Sequence, residues 1–246
     1  MKYILEMIPS MRPVNITVMI FIITPTFISN FAPSNVLGQD DESESYIYLV
    51  DSEPFGIPYY KWTESWWNWL VSTPTDSNPA LDMDGKDCQK GMHYKYPVFF
   101  LAGSLNETAS RNCTVPSDVS IFFPATTSYC YNTLSVNRTE DQLRTCASLQ
   151  TSDVNEEVTI DGSELNTFAY DITDAKVQSN LFGIEVPEDN ILGISAQNVS
   201  GIAAGDWVFL KPSVFSPGIH KISFTGNLNG TLSDVSYSLN ITGSSK

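Results

Sequence analysis

Hydrophobic and polar positions along most of the chain follow the two-residue period of β-strands. The clearest segment is 235–241, where apolar residues alternate with polar ones, as expected for a strand with one face in solvent. Shorter continuous apolar runs bounded by turn residues are typical of buried strands. The predicted strands are 46–50, 98–102, 119–123, 158–160, 168–172, 181–186, 207–211, 219–225 and 235–241. The pair Asp161-Gly162 after the fourth of them predicts a tight hairpin turn.

Two segments have helical periodicity instead. In 59–70, Tyr59, Trp62 and Trp66 recur at steps of three and four residues, which predicts a helix with one apolar stripe. The stripe is expected to pack in the core. Trp67 lies off the stripe and is expected to be exposed, so that it and Tyr60 could stack on sugar faces. For these aromatic residues as a group, packing against a sheet is favoured over sugar stacking. Thr139 begins a capping box that Gln142 completes, which predicts a second short helix.

These elements together predict a mainly β fold. Strands separated by regular turn signals are typical of two-sheet antiparallel sandwiches. We therefore expect a two-sheet antiparallel sandwich with two short helices and two disulfides, formed as a single domain by residues 46–242.

The first 38 residues are predicted to be a signal peptide. Lys2 and Arg12 precede an apolar run at 14–28, and small or aliphatic residues at 36–38 provide a cleavage region. The run is shorter than the roughly 20 residues of a transmembrane helix, but retention as an uncleaved N-terminal anchor remains the alternative. Residues 39–45 are expected to be an acidic disordered N-terminus and residues 243–246 a disordered tail. The protein is thus predicted to be secreted or at the cell surface, without membrane insertion after cleavage.

Charge narrows the choice of partners. The chain has 13 Lys and Arg residues against 28 Asp and Glu residues, a formal net charge of −15. Such a surface repels phosphate backbones and anionic lipids, so a nucleic-acid partner is not expected. The acidity is otherwise explained by solubility.

The chain contains four cysteines, an even number that in an exported protein favours two disulfides among three possible connectivities. Pairing Cys88 with Cys113 and Cys130 with Cys146 is preferred, because each pair closes a short loop. Sequons for N-glycosylation also fit export. They fall in the domain at Asn106, Asn112, Asn137, Asn198, Asn229 and Asn240, of which Asn112 adjoins a cysteine.

One cluster suggests a metal. Asp82, Asp84 and Asp87 place three carboxylates on a short turn, and oxygen ligands suit Ca²⁺. The twelve-residue loop of an EF-hand and its closing glutamate are absent. Calcium is therefore the one possible cofactor, with a solvated Asp-Gly turn as the alternative.

Several motifs together resemble a family of exported prokaryotic proteins of unassigned function. The similarity covers roughly residues 60–242 and rests on Trp66-Trp67-Asn68-Trp69-Leu70, Asp84-Gly85-x-x-Cys88, Pro97-Val98-Phe99-Phe100-Leu101-Ala102-Gly103, Arg111-Asn112-Cys113-Thr114-Val115-Pro116, Ile121-Phe122-Phe123-Pro124 and Pro217-Gly218-Ile219-His220. The family carries no activity, cofactor or catalytic residue to transfer. In it the counterparts of Cys88 and Cys113 appear together, which supports the preferred pairing.

The remaining motifs favour a binding or structural role over catalysis. His93 and His220, the only histidines, do not form a blue-copper ligand set with a free cysteine, and no G-x-S-x-G elbow is present. We expect a secreted or cell-surface module that binds a carbohydrate or a cell-surface protein. The alternative is a secreted carbohydrate-active hydrolase, which needs only two carboxylates about 5 to 10 Å apart and whose pair the sequence does not identify.

Overall fold

The computed structural model describes residues 46–105, 108–152, 155–168 and 170–244. The predicted signal peptide, the acidic segment 39–45, Asn106 and the last two residues of the predicted tail lie outside the described residues. Among the described residues, no helix is both long enough and apolar enough to span a bilayer.

The described chain forms ten strands and two α-helices. The strands are β1 Val98–Phe100, β2 Thr108–Pro116, β3 Ser120–Asn132, β4 Glu157–Ile160, β5 Ser163–Glu164, β6 Lys176–Gln178, β7 Phe182–Val186, β8 Gln197–Leu210, β9 Gly218–Leu228 and β10 Thr231–Thr242. The helices are α1 Tyr59–Ser72 and α2 Glu140–Gln150. The prediction of a mainly β fold with two helices and two disulfides is confirmed.

All ten strands belong to one hydrogen-bonded network. Its main path runs β2-β10-β9-β3-β8-β6, with β1 beside β3, β7 beside β8, and the β4–β5 hairpin beside β9. The prediction of purely antiparallel strands is wrong, because β2 runs parallel to β10 along its whole length and β1 runs parallel to β3. Alternation along one strand indicates which side chains are buried, but it carries no information on the direction of the neighbouring strand.

The central strands are buried on both faces. In β3, Ile121 and Phe123 belong to one apolar cluster with residues of β9 and β10, whereas Phe122 belongs to a second cluster beneath α1. In β8, Val208 and Trp207 divide between the two clusters in the same way. Burial on both faces explains why the core of these strands appears as a continuous apolar run.

Three local predictions differ from the structure. Segment 168–172 contains parts of two 3₁₀ turns, Leu165–Phe168 and Ile172–Asp174, and segment 46–50 forms only an isolated bridge through Ile47. Strands β2, β5 and β6 were not predicted. In β2, the second core-facing position is Arg111, which is buried and interrupts the apolar alternation.

Helix α1 lies where the spacing predicted it, but the prediction that Trp67 is exposed is wrong. Trp67 is 1% exposed, its ring lies 5.5 Å from that of Tyr129, and its Nε1 donates to Oγ1 of Thr127 at 3.1 Å. The helix contacts β6 and β7 as well as β8, so its buried surface is wider than one stripe.

Both disulfides have the predicted pairing. Cys130–Cys146 joins β3 to α2, and Cys88–Cys113 joins a 3₁₀ turn to β2. The predicted capping box at Thr139 and Gln142 is also formed. The predicted hairpin turn is confirmed, since Asp161 and Gly162 both adopt positive φ between β4 and β5. The two disulfides are consistent with an extracellular protein.

Candidate functional site

Two carboxyl groups, those of Glu156 and Asp206, meet beneath an opening in the surface. Glu156 directly precedes β4, and Asp206 lies within β8. Asp206 stands opposite Lys176 in the antiparallel β6–β8 ladder, so their side chains are cross-strand neighbours. Lys176 Nζ lies 3.2 Å from Oδ2 of Asp206.

The second oxygen of Asp206 is the unusual atom of this site. Asp206 is only 2% exposed, and apart from the carboxyl proton of Glu156, whose side chain is hydrogen-bonded to Asp206, no described residue donates to its Oδ1. Buried polar atoms in native proteins almost always have a partner, and one left unmatched costs free energy. Whenever the proton of Glu156 turns to another acceptor, a donor from a ligand or from water is therefore favoured at Asp206.

Glu156 has a strongly altered protonation equilibrium. Burial raises the pKa of Glu156 to about 8, and the negative charge of Asp206 acts in the same direction, while Lys176 opposes them. At neutral pH the proton therefore resides on Glu156. The two carboxyl groups then share that proton in a direct hydrogen bond, with Glu156 as donor and the Asp206 carboxylate as acceptor.

Two neighbouring pockets open at this pair. One, of about 470 Å³, is lined by Glu156 together with the exposed acids Glu157, Glu164 and Asp171. The other, of about 240 Å³, is lined by Asp206 and Lys176, and the two pockets share Glu156. Carboxylates around the first opening disfavour anionic ligands and favour neutral or cationic ones.

Two buried tyrosines form a rigid support next to the pair. The hydroxyls of Tyr59 and Tyr170 both donate to the carbonyl of Trp207, at 3.3 and 3.2 Å, one residue beyond Asp206. Burial is the main cause that raises the pKa of both phenols above the usual value, so they stay neutral donors. Tyr170 also lines the larger pocket.

The predicted calcium site, the aspartate cluster Asp82, Asp84 and Asp87, is organised by hydrogen bonds within its own turn. Asp82 is buried, and its carboxylate accepts the backbone N–H groups of Asp84, Gly85 and Asp87 at 3.3, 3.0 and 3.0 Å. Burial alone would raise the pKa of Asp82, but these hydrogen bonds outweigh it and lower that pKa. Asp87 pairs with Lys86 at 2.8 Å.

These contacts supply partners for the carboxylates without a metal. Within the described ranges, no group of three or more acidic, histidine or cysteine side chains is arranged to hold a metal ion. Calcium binding by Asp82, Asp84 and Asp87 stays a prediction.

The two rings expected to stack on sugar do not form one surface. Trp67 is buried, whereas Tyr60 is partly exposed and lines a third pocket of about 370 Å³ with Lys176. The sequon asparagines inside the described ranges are exposed, as glycosylation requires: Asn112, Asn137, Asn198, Asn229 and Asn240. Their use is not tested by the structure.

The sequence pattern did not identify the carboxyl pair. A detectable signal existed for Asp206, because it interrupts a run of small and apolar residues that otherwise indicates a buried strand. Glu156 gave no signal, since Asn155-Glu156-Glu157 is typical of a solvated loop.

No family model matches this chain, and comparisons with curated proteins and with solved structures found no match either.

Proposed function

We propose that this protein is a secreted or cell-surface binding module whose ligand is a neutral or amine-bearing saccharide, held in the pockets beside Glu156 and Asp206. The observation that carries the proposal is the carboxyl pair of Glu156 and buried Asp206 at the wall of a pocket, in which Oδ1 of Asp206 has no donor among the described residues other than the proton of Glu156. A sugar hydroxyl both donates and accepts hydrogen bonds. It would therefore replace the direct contact between the two carboxyls, donating a hydrogen bond to Asp206 and accepting one from Glu156.

Other features support this class of ligand. The acids around the larger pocket are Glu157, Glu164 and Asp171, and carboxylates bind vicinal hydroxyls or ammonium groups but repel anionic sugars. Val158 and Leu165 provide apolar surface in the same pocket for the C–H faces of a ring.

We also infer that the sheet curves so that the part containing β3 and the part containing β9 pack on each other as the two layers of a sandwich. Residues of β3 and β9 share one apolar cluster.

Direct binding measurements test the proposal. Native protein is expected to bind neutral or amino-sugar oligosaccharides from a glycan array, with affinities then measured by calorimetry. Glu156→Ala removes the donor and should weaken binding about tenfold, the effect of one good hydrogen bond to a buried charged partner. Glu185→Ala, an exposed acid on β7 outside the pockets, is the matched control and should bind as native protein does. Native protein that binds none of these sugars, or equal affinities for the two variants, would contradict the proposal.

The geometry of this pair does not favour the alternative of a carbohydrate-active hydrolase. Glu156 and Asp206 are in direct hydrogen-bond contact, whereas a glycosidase needs its two carboxyl groups about 5 to 10 Å apart, with the scissile bond between them. The hydrolase therefore stays a prediction without an identified carboxylate pair.

A further inference from the structure

A second surface, which we term the aromatic face, consists of Tyr48, Phe55, His93, Tyr94 and Tyr96. The ring of Phe55 lies 6.2 Å from that of Tyr48 and 6.0 Å from that of Tyr96. His93 continues the series, with its ring 5.5 Å from Tyr96 and 4.8 Å from Tyr94. Three separate chain segments thus converge to place five rings in contact. Such convergence makes a continuous aromatic surface rather than a single exposed side chain.

The backbone at Phe55 supports a role for this surface. Phe55 has φ 59° and ψ 24°, the left-handed region that bulky residues rarely adopt. This conformation keeps its ring 39% exposed while the ring edge contacts Trp62 at 5.9 Å. Strained backbone of this kind persists where the surrounding structure enforces it, and it is concentrated at functional sites.

Tyr94 is the most prominent ring of the aromatic face. It is 93% exposed and stacks on His93 with an interplanar angle of 25°. Nδ1 of His93 in turn accepts the backbone N–H groups of Lys95 and Tyr96, both at 3.2 Å. The imidazole therefore fixes the loop and supports the Tyr94 ring, whose other face is free to meet a planar partner.

Two cations border these rings. Lys95 Nζ lies 5.1 Å from the ring centre of Tyr96, and Lys211 Nζ lies 5.3 Å from that of Tyr48. In a chain with 13 basic against 28 acidic residues, these two lysines place positive charge beside the aromatic face. The aromatic face is thereby complementary to a partner with flat C–H surfaces and negative charges.

We propose that the aromatic face binds an acidic polysaccharide. Pyranose rings stack on Tyr94, Tyr96 and Phe55, and sugar carboxylates pair with Lys95 and Lys211. This site differs in place and in charge from the acidic pockets at Glu156, and it does not depend on them.

The probes are a hexamer of galacturonic acid and a neutral hexamer of galactose, compared by calorimetry at low and at high salt. Native protein should bind the acidic hexamer more tightly than the neutral one, and added salt should weaken that preference because the lysines are exposed to screening. Lys95→Gln should reduce binding of the acidic hexamer specifically. Equal binding of both hexamers, or binding of neither, would overturn the proposal.

Substitutions at Tyr94 locate the site. Tyr94→Ala should weaken binding of the acidic hexamer about tenfold, whereas Tyr94→Phe keeps the ring and should stay within about twofold of native affinity. The matched control is Leu134→Ala, which removes a side chain that is 91% exposed outside the aromatic face. Both alanine variants should melt as native protein does, since neither residue is buried. If Tyr94→Ala and Leu134→Ala bind alike, the proposal is wrong, whereas Glu156→Ala should leave this binding unchanged.

Discussion

At the scale of single residues, the polar ends of buried tryptophans explain much of how α1 is held. Nε1 of Trp66 donates to the carbonyl of Leu101 at 2.9 Å, and Nε1 of Trp67 donates to Oγ1 of Thr127 at 3.1 Å. A buried indole N–H without an acceptor would oppose burial. These two hydrogen bonds therefore connect α1 to the loop after β1 and to β3 at defined positions.

Truncation of Trp67 is expected to be severely destabilising. Trp67→Ala leaves a large cavity against Tyr129 and removes the donor to Oγ1 of Thr127, which keeps only its own hydrogen bond to the carbonyl of Ala204, so it should cost about 3–5 kcal/mol of unfolding free energy. The control is Trp69→Ala on the same helix, where the ring is partly exposed and the cost should be smaller. Urea denaturation measures both. Similar losses at the two positions would show that Trp67 is not the anchor described.

Trp67 also shows how far helical spacing can predict burial. Steps of three and four residues correctly identified the helix and the burial of Tyr59, Trp62 and Trp66. They could not identify Trp67 as buried, because the width of a buried helix face depends on how many other elements pack around it. Here β6 and β7 lie beside α1 in addition to β8, and these contacts join segments more than 100 residues apart in sequence.

At the scale of elements, the aspartate turn is a structural connection to β2. Nε of Arg111 on β2 donates to the carbonyl of Asp82 at 2.6 Å, and its Nη1 and Nη2 donate to the carbonyls of Ala102 and Gly103 at 2.6 and 3.1 Å. Cys88–Cys113 joins the same two elements covalently. The buried Arg111 and its carbonyl partners thus hold the aspartate turn in place. The same residue explains why apolar alternation did not identify β2.

Substitutions in this turn separate hydrogen bonding from calcium binding. Asp82→Ala removes the acceptor of three backbone N–H groups and should cost about 1–3 kcal/mol in Ca²⁺ and in chelator alike. The calcium hypothesis further predicts that the native melting midpoint rises in millimolar Ca²⁺ and that Asp84→Asn reduces this rise. Identical native midpoints in Ca²⁺ and chelator would contradict calcium binding. A loss for Asp82→Ala that appears only in Ca²⁺ would contradict the hydrogen-bond role.

At the scale of the whole molecule, pairing between distant segments decides both the sheet and the candidate site. Local patterns located seven of the ten strands in part, and the two disulfides, but not the parallel pairing of β2 with β10 across more than 100 residues. Glu156 and Asp206 are likewise 50 positions apart in the numbering, and the strands at which they lie, β4 and β8, are joined in one sheet only through β9 and β3. The sequence therefore supplied the acids without indicating which of them meet.

Because Glu156 and Asp206 lie next to each other, the stability of the folded protein depends on pH. An unfolded glutamate has a pKa of about 4.3, whereas burial, aided by the charge of Asp206, raises the pKa of Glu156 in the folded protein to about 8. Between these values the folded state binds more protons than the unfolded state. The contribution to stability is fully present below the unfolded pKa and is lost as pH rises through about 8. Glu156 is partly exposed, so solvent screening should narrow the pH range over which this contribution changes.

Glu156→Gln is the direct test of this linkage. Native protein should lose unfolding free energy between pH 5 and pH 8.5, measured by urea denaturation at each pH, and the variant should lose less because its amide does not titrate. Glu157→Gln, the exposed neighbour on β4, should retain the native pH dependence and serves as the control. The lowered pKa of His93, caused by burial and the charge of Lys95, acts with the opposite sign at the acidic end and is common to all three proteins. Parallel pH profiles for native protein and Glu156→Gln would show that Glu156 is already ionised in the folded state at neutral pH, and the donor role in the pocket would then be untenable.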